Sequence, residues 1–186
     1  KKKKRSRPPP RLVPLSSRPA LSLPLSIMGA GHSTPAATAA LHAAAARADL
    51  ATLEVLLPDT PLARLAAGDK SDGWTALHYA AGGGAASPFP LASSAADPSG
   101  EAITALLAYG APAGKGDKRG RTPLHVAAMT RNGPAAAALL RAGRVDPDSR
   151  DRDGLTPLMA AAAVGGGEVV RALLGAGANP RASMKV

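Results

Sequence analysis

From residue 35 onward the apolar positions fall into short runs of two alternating kinds. One kind is dense in alanine and opens on threonine, as in "TPLHVAA" at 122–128 and "TPLMAAA" at 156–162. The other carries larger aliphatics at helical spacing: Leu50, Leu53, Val55, Leu56 and Leu57, then Ile103, Leu106 and Leu107, then Val169, Val170, Leu173 and Leu174. Residues that recur at i, i+3 and i+4 share one helix face, so each run predicts a short helix with one buried stripe. Gly110, Gly143 and Gly177 follow the second kind, at the place where a left-handed residue ends a helix. The pattern predicts helix pairs, with the alanines letting the two members approach closely.

The pairs repeat. Thr122 and Thr156 lie 34 residues apart. A fainter copy, "KSDGWTALHYAA" from Lys70, keeps Thr75, Leu77, His78 and Ala80 in register, and "AALHAA" at 39–44 keeps Leu41, His42 and Ala44 without the Thr-Pro. A period between 20 and 50 residues marks stacked units that bury a continuous core only together. Thr122 and Thr156 are placed as N-caps, with Pro123 and Pro157 in the first turn, where a missing N–H breaks no bond. Asp117 and Asp151 each open an Asp-x-x-Gly turn before the threonine; in the earlier copy Lys70 stands in that place, which puts its turn in doubt.

These residues resemble the ankyrin repeat, whose signature is Thr-Pro-Leu-His-x-Ala at a period of about 33. The resemblance covers residues 35–182 and implies an all-α solenoid of about four repeats, near 35–68, 69–115, 116–148 and 149–182. Each would be a helix–turn–helix carrying a β-hairpin finger. The fingerless first copy, "STPAATAALHAAAARA", reads as Thr34 cap, Pro35, then helix, an N-terminal capping repeat. The repeat motif itself comprises Thr75, Leu77, His78, Thr122, Pro123, Leu124, His125, Thr156, Pro157 and Leu158. The resemblance implies that His42, His78 and His125 tie neighbouring repeats together, with Met159 replacing the histidine in the last copy. It also implies that protein partners bind along finger tips and first helices. Position by position, that surface is Ser71, Asp72 and Trp74; Lys118, Arg119 and Arg121; Arg152, Asp153 and Leu155. Trp74 is the leading anchor among them.

Thr75 and Thr122 are 47 residues apart, and the excess falls in "GGGAASPFPLASSAADPSG" at 82–100. That composition predicts a low-complexity surface insertion, with Phe89 as its one bulky residue and a docking arm as the rival reading.

Composition narrows the chemistry. The absence of cysteine removes disulfides, thiolate metal sites and cysteine nucleophiles. No nucleophile elbow, zinc-protease helix, phosphate-binding loop or dinucleotide fingerprint occurs, so the reading is non-catalytic, with no cofactor, metal or small-molecule substrate. The histidines stand a repeat apart and lack acidic partners at ligand spacing. Residues 1–27 hold eight of the 23 basic residues and none of the 13 acids, which leaves 15 against 13 for the rest. The net charge of +10 is therefore mainly a property of the tail, and nucleic acid is not the favoured partner.

The segment 1–34 is proline-rich, basic and expected to be disordered, as is a short tail at 183–186. "MGAGHS" at 28–33 fits an N-myristoylation signal if Met28 is the start, making Gly29 the candidate lipidation site. The expected location is cytoplasmic, membrane-associated if acylated, nuclear or plastid if residues 1–27 serve as a targeting segment. The sequence points to a monomeric adaptor for other proteins. The alternative is the substrate-recognition part of an ankyrin–RING ubiquitin ligase, a plant-type layout that it resembles, whose zinc module would lie outside this chain.

Overall fold

A computed structural model of the chain describes residues 35–83 and 98–183. The tail with Gly29 and the Thr34 cap, most of the 82–100 insertion including Phe89, and residues 184–186 lie outside the described residues.

Helix α6 (Pro123–Met129) shows how the motif becomes structure. Thr122 holds extended backbone at its N-cap and Pro123 fills the first turn. His125, three residues on, turns its ring back so that Nδ1 accepts the Thr122 N–H at 3.1 Å. Helix α7 (Gly133–Arg141) follows after a tight turn, capped by Asn132, whose side chain accepts from the Ala135 N–H. The same pairing gives α1 (Pro35–Ala46) with α2 (Leu50–Leu56), α4 (Ala76–Ala81) with α5 (Ser99–Ala108), and α8 (Pro157–Val164) with α9 (Gly167–Gly175). A single-turn helix, α3 (Leu62–Leu65), joins the first pair to the second and buries Leu65; the sequence pattern had not marked it.

First helices pack in one row, α1 on α4 on α6 on α8, and second helices in another, α2 on α5 on α7 on α9. Each unit therefore meets chiefly its neighbours, the quasi-one-dimensional plan of a solenoid. Leucines at equivalent places, Leu41, Leu77 and Leu124, are wholly buried between the rows, as are Leu53, Leu106, Leu139 and Leu173 from the second helices. Alanine fills the gaps at Ala44, Ala80, Ala127 and Ala161, which is why so few aromatics suffice. Gly110, Gly143 and Gly177 have positive φ just past the second helices, as their positions predict.

Three expectations need correction. Among the described residues there is no β-strand: the fingers are hairpin turns, each closed by a backbone bond, from Asp69 N to Trp74 O, Asp117 N to Arg121 O and Asp151 N to Leu155 O. Three to four residues per tip leave too little chain to build a ladder. The finger thought doubtful because of Lys70 is intact, since Asp69, one residue earlier, supplies the missing carboxylate. Helix α5 also begins at Ser99, so the last two residues of the 82–100 stretch are helical.

Candidate functional site

Each finger is organised by one aspartate. Asp69 Oδ1 accepts from the N–H groups of Asp72 (2.9 Å), Gly73 (2.7 Å) and Trp74 (3.1 Å), while Oδ2 accepts from the Ser71 hydroxyl and, at 2.5 Å, the Tyr79 hydroxyl. Asp117 Oδ1 accepts from Arg119 N (2.8 Å) and Arg121 N (2.9 Å), and its Oδ2 is bound by the Arg121 guanidinium at 2.7–2.8 Å. Asp151 accepts from Asp153 N and Leu155 N. Burial alone would raise the Asp69 carboxyl, but the donors led by Tyr79 hold it far below the usual carboxylate range. Asp117 is lowered too, the Arg121 bonds outweighing its burial. Burial and the neighbouring Asp69 carboxylate push the Tyr79 hydroxyl up to about 12.

Adjacent fingers are joined by one backbone bond per step. Lys118 N donates to Asp72 O at 2.8 Å, and Arg152 N to Arg119 O at 2.9 Å. Lys118 Nζ adds bonds to the carbonyls of Lys70 and, at 2.7 Å, Ser71. Glycine at the turn permits this approach: a Cβ on Gly120 would lie 3.2 Å from Arg152 N.

Trp74, the leading anchor candidate, is half-buried. Its Nε1 donates to Asp117 Oδ2 at 3.2 Å, and its ring stacks near His78 (6.2 Å) and meets Tyr79 edge-on (5.3 Å). It supports the next finger from within. Arg121 is likewise engaged by Asp117, and Leu155 lends its backbone to both Asp151 and His125.

Two of the three repeated histidines bond to the repeat that follows, and His42 bonds within its own. His78 Nε2 meets Arg121 O at 2.9 Å and His125 Nε2 meets Leu155 O at 3.1 Å, each one repeat ahead. His42 Nε2 reaches Ala67 O at 3.2 Å and its ring stacks on Tyr79. Because Nδ1 of His78 and His125 accepts a backbone N–H, the proton must sit on Nε2, where it donates to the carbonyl. Burial lowers the pKa of all three rings and keeps this neutral tautomer. Among the described residues no cluster of His, Asp and Glu is arranged to hold a metal ion.

What remains at the tips is a different set of charges. The side chains of Asp72, Arg119, Arg152 and Asp153 are exposed, and no hydrogen bond or ion pair engages them among the described residues. The sequence-predicted surface therefore divides into supporting residues (Trp74, Arg121, Lys118, Leu155, with Ser71 bound to Asp69) and unengaged tip residues. Sequence reasoning missed Asp69, Tyr79 and Asn132. Asn132 is buried, donates to Ala81 O and accepts from Ser99 Oγ and Ala135 N, joining three helix ends. Its signal was the Asn immediately before Gly-Pro, a helix-start pattern.

Residues 91–184 match the family described as ankyrin repeats, in three copies. No curated protein matches the chain.

Proposed function

Because this chain belongs to the ankyrin-repeat family, whose members generally mediate protein–protein interaction, we propose that it is a non-catalytic adaptor presenting its finger row to a protein partner. The supporting observation is the division of charge along that row. One oxygen of each finger-base carboxylate accepts from its own turn's backbone, whereas Asp72, Arg119, Arg152 and Asp153 at the tips are held out to solvent without an internal partner among the described residues. A rigid base beneath exposed charges of both signs is a preorganised contact surface, because little ordering remains to oppose binding.

The test begins with affinity capture by the full chain and identification of what is retained. The affinity of that partner is then measured against the double variant Arg119→Ala, Arg152→Ala. Neither side chain is engaged in the fold, so helical content should stay at the wild-type level while affinity falls by a factor of about ten or more, the usual consequence of removing central interface arginines. Unchanged affinity in the folded variant would rule out the finger row. Trp74→Ala is unsuitable for this purpose because it removes a support of the third repeat's finger.

A further inference from the structure

The second finger turns a single sign of charge outward. Its acid, Asp117, is buried, accepts from Arg119 N and Arg121 N, and is paired with the Arg121 guanidinium. That leaves Lys115, Lys118 and Arg119, all exposed and none of them paired with a carboxylate among the described residues. The flanking fingers are mixed. Lys70 and Asp72 stand exposed on the first, Arg152 and Asp153 on the third. The segment that leads into the third finger adds Asp146 and Asp148, which accept the N–H groups of Asp148 and Asn179, and Arg150, which donates to the carbonyls of Gly154 and Ser183. Along the row the exposed charge therefore runs mixed, positive, mixed, with the excess at its centre.

The two lysines are fixed without being neutralised. Lys115 Nζ donates to Ala66 O at 2.6 Å, and Lys118 Nζ donates to Lys70 O and, at 2.7 Å, to Ser71 O. A carbonyl accepts a hydrogen bond but carries no net charge, so both ammonium charges stay in place. An ammonium has three N–H groups, which leaves both lysines a donor for an incoming acceptor, and Arg119 keeps its whole guanidinium. Side chains already ordered lose little entropy when a ligand arrives. Carboxylates suit them, since hydrogen bonds between ionised partners are the stronger kind. A nucleic acid suits the row poorly, because its unbroken run of phosphates would pass over Asp72 or Asp153. The rings at the fingers, Trp74 and Tyr79, are half-buried and engaged within the fold, not free to stack on bases.

We propose that the second finger receives a short acidic cluster of a protein partner, neighbouring carboxylates bounded by residues that are not acidic, with Lys115, Lys118 and Arg119 as the receiving cations. The bounding residues face the mixed tips, where a further acid would meet Asp72 or Asp153 and be repelled. The basic segment 1–27 of the chain has the wrong sign to occupy this finger itself. The inference rests on the adaptor reading and narrows it to one class of partner.

Random peptides displayed on phage and selected on the full chain test it. The wild type should enrich peptides with adjacent acids flanked by neutral or basic residues. The most enriched peptide, synthesised, should bind Arg119→Glu more weakly by a factor of about ten or more, with helical circular dichroism unchanged. It should lose as much when its own acids become amides. Arg171→Glu makes the same change of net charge on an exposed residue of α9 and should bind as the wild type does. Selected peptides without acids overturn the proposal. So do acidic peptides that Arg119→Glu binds equally well, which would assign them to segment 1–27. An oligothymidylate that binds more tightly than the peptide, and is lost in Arg119→Glu, would make the ligand nucleic acid and also overturns it. The adaptor reading fails separately. A captured partner weakened by Arg119→Ala, Arg152→Ala but lacking an acidic cluster leaves that reading standing and overturns this one. A captured partner indifferent to those substitutions removes the adaptor reading, whatever the peptides do.

Discussion

The indole N–H of Trp74 donates to Oδ2 of Asp117 at 3.2 Å, across 43 residues of chain and from one finger to the next. Between the two residues lies the whole insertion, so the bond joins repeats that the sequence holds far apart. It also unites three kinds of interaction at one carboxylate: a finger turn, an ion pair and a neighbouring ring.

Asp117→Ala should therefore be among the costliest single substitutions. It leaves the Arg121 guanidinium, whose side chain is only 16% exposed, without its counter-ion and frees two backbone N–H groups. Breaking such a buried pair costs about 3 kcal/mol. Urea denaturation followed by Trp74, the only tryptophan, measures this directly. Emission of the folded variant should shift to the red as the indole loses its partner. A cost below about 1 kcal/mol would place Asp117 among ordinary surface residues.

The histidine links predict a stability slope with pH. His78 and His125 have folded pKa values below their ordinary 6.5, so the unfolded chain takes up protons first as pH falls. Their contribution is complete above about pH 6.5 and is lost on acidification toward the folded pKa values. Melting temperature should fall from about pH 7.5 to about pH 5, before any carboxylate contribution is lost. The lowered Asp69 and Asp117 carboxyls hold their contribution in that window and lose it only at more acidic pH. The double variant His78→Gln, His125→Gln should be less stable throughout, with a flatter slope.

Gly120 and Gly143 separate backbone strain from crowding. Both have positive φ, +77° and +63°, but only Gly120 faces a neighbouring backbone where a Cβ would go; Gly143 faces nothing within 4 Å. Gly143→Ala should cost about 1 kcal/mol for the left-handed conformation alone. Gly120→Ala should cost more, because the next finger must also move. Equal losses in thermal melts would mean that the finger stack yields freely.

Asn132→Ala removes the cap of α7 together with the bonds to Ser99 and Ala81. A loss of about 2 kcal/mol is expected, at the upper end for a helix cap because the side chain is buried. Hydrogen exchange should show the start of α7 and the start of α5 opening together.

The helix pairs and their caps were legible because threonine, proline and glycine each impose a local backbone choice, and the choices recur in phase. Finger geometry was legible where the spacing was regular, from Asp117 to Thr122 and from Asp151 to Thr156. It was misread at Lys70 because that finger is one residue longer, which moves the organising carboxylate to Asp69 without changing the turn glycine. Helix α3 left no periodic trace, as a single turn is shorter than any period. The role of Trp74 could not be read at all: a lone aromatic beside charges suits a binding anchor and a buried prop equally, and only the position of Asp117 in space distinguishes them.

The histidine links between repeats draw on main-chain oxygens, and the residues that own them, Arg121 and Leu155, share no chemistry. A peptide carbonyl is the same whatever side chain it bears. The assembly thus separates grammar from vocabulary: the rules that join one unit to the next are written in a few fixed side chains and in the backbone, so the words displayed at the fingers can be exchanged without rewriting the sentence that holds them.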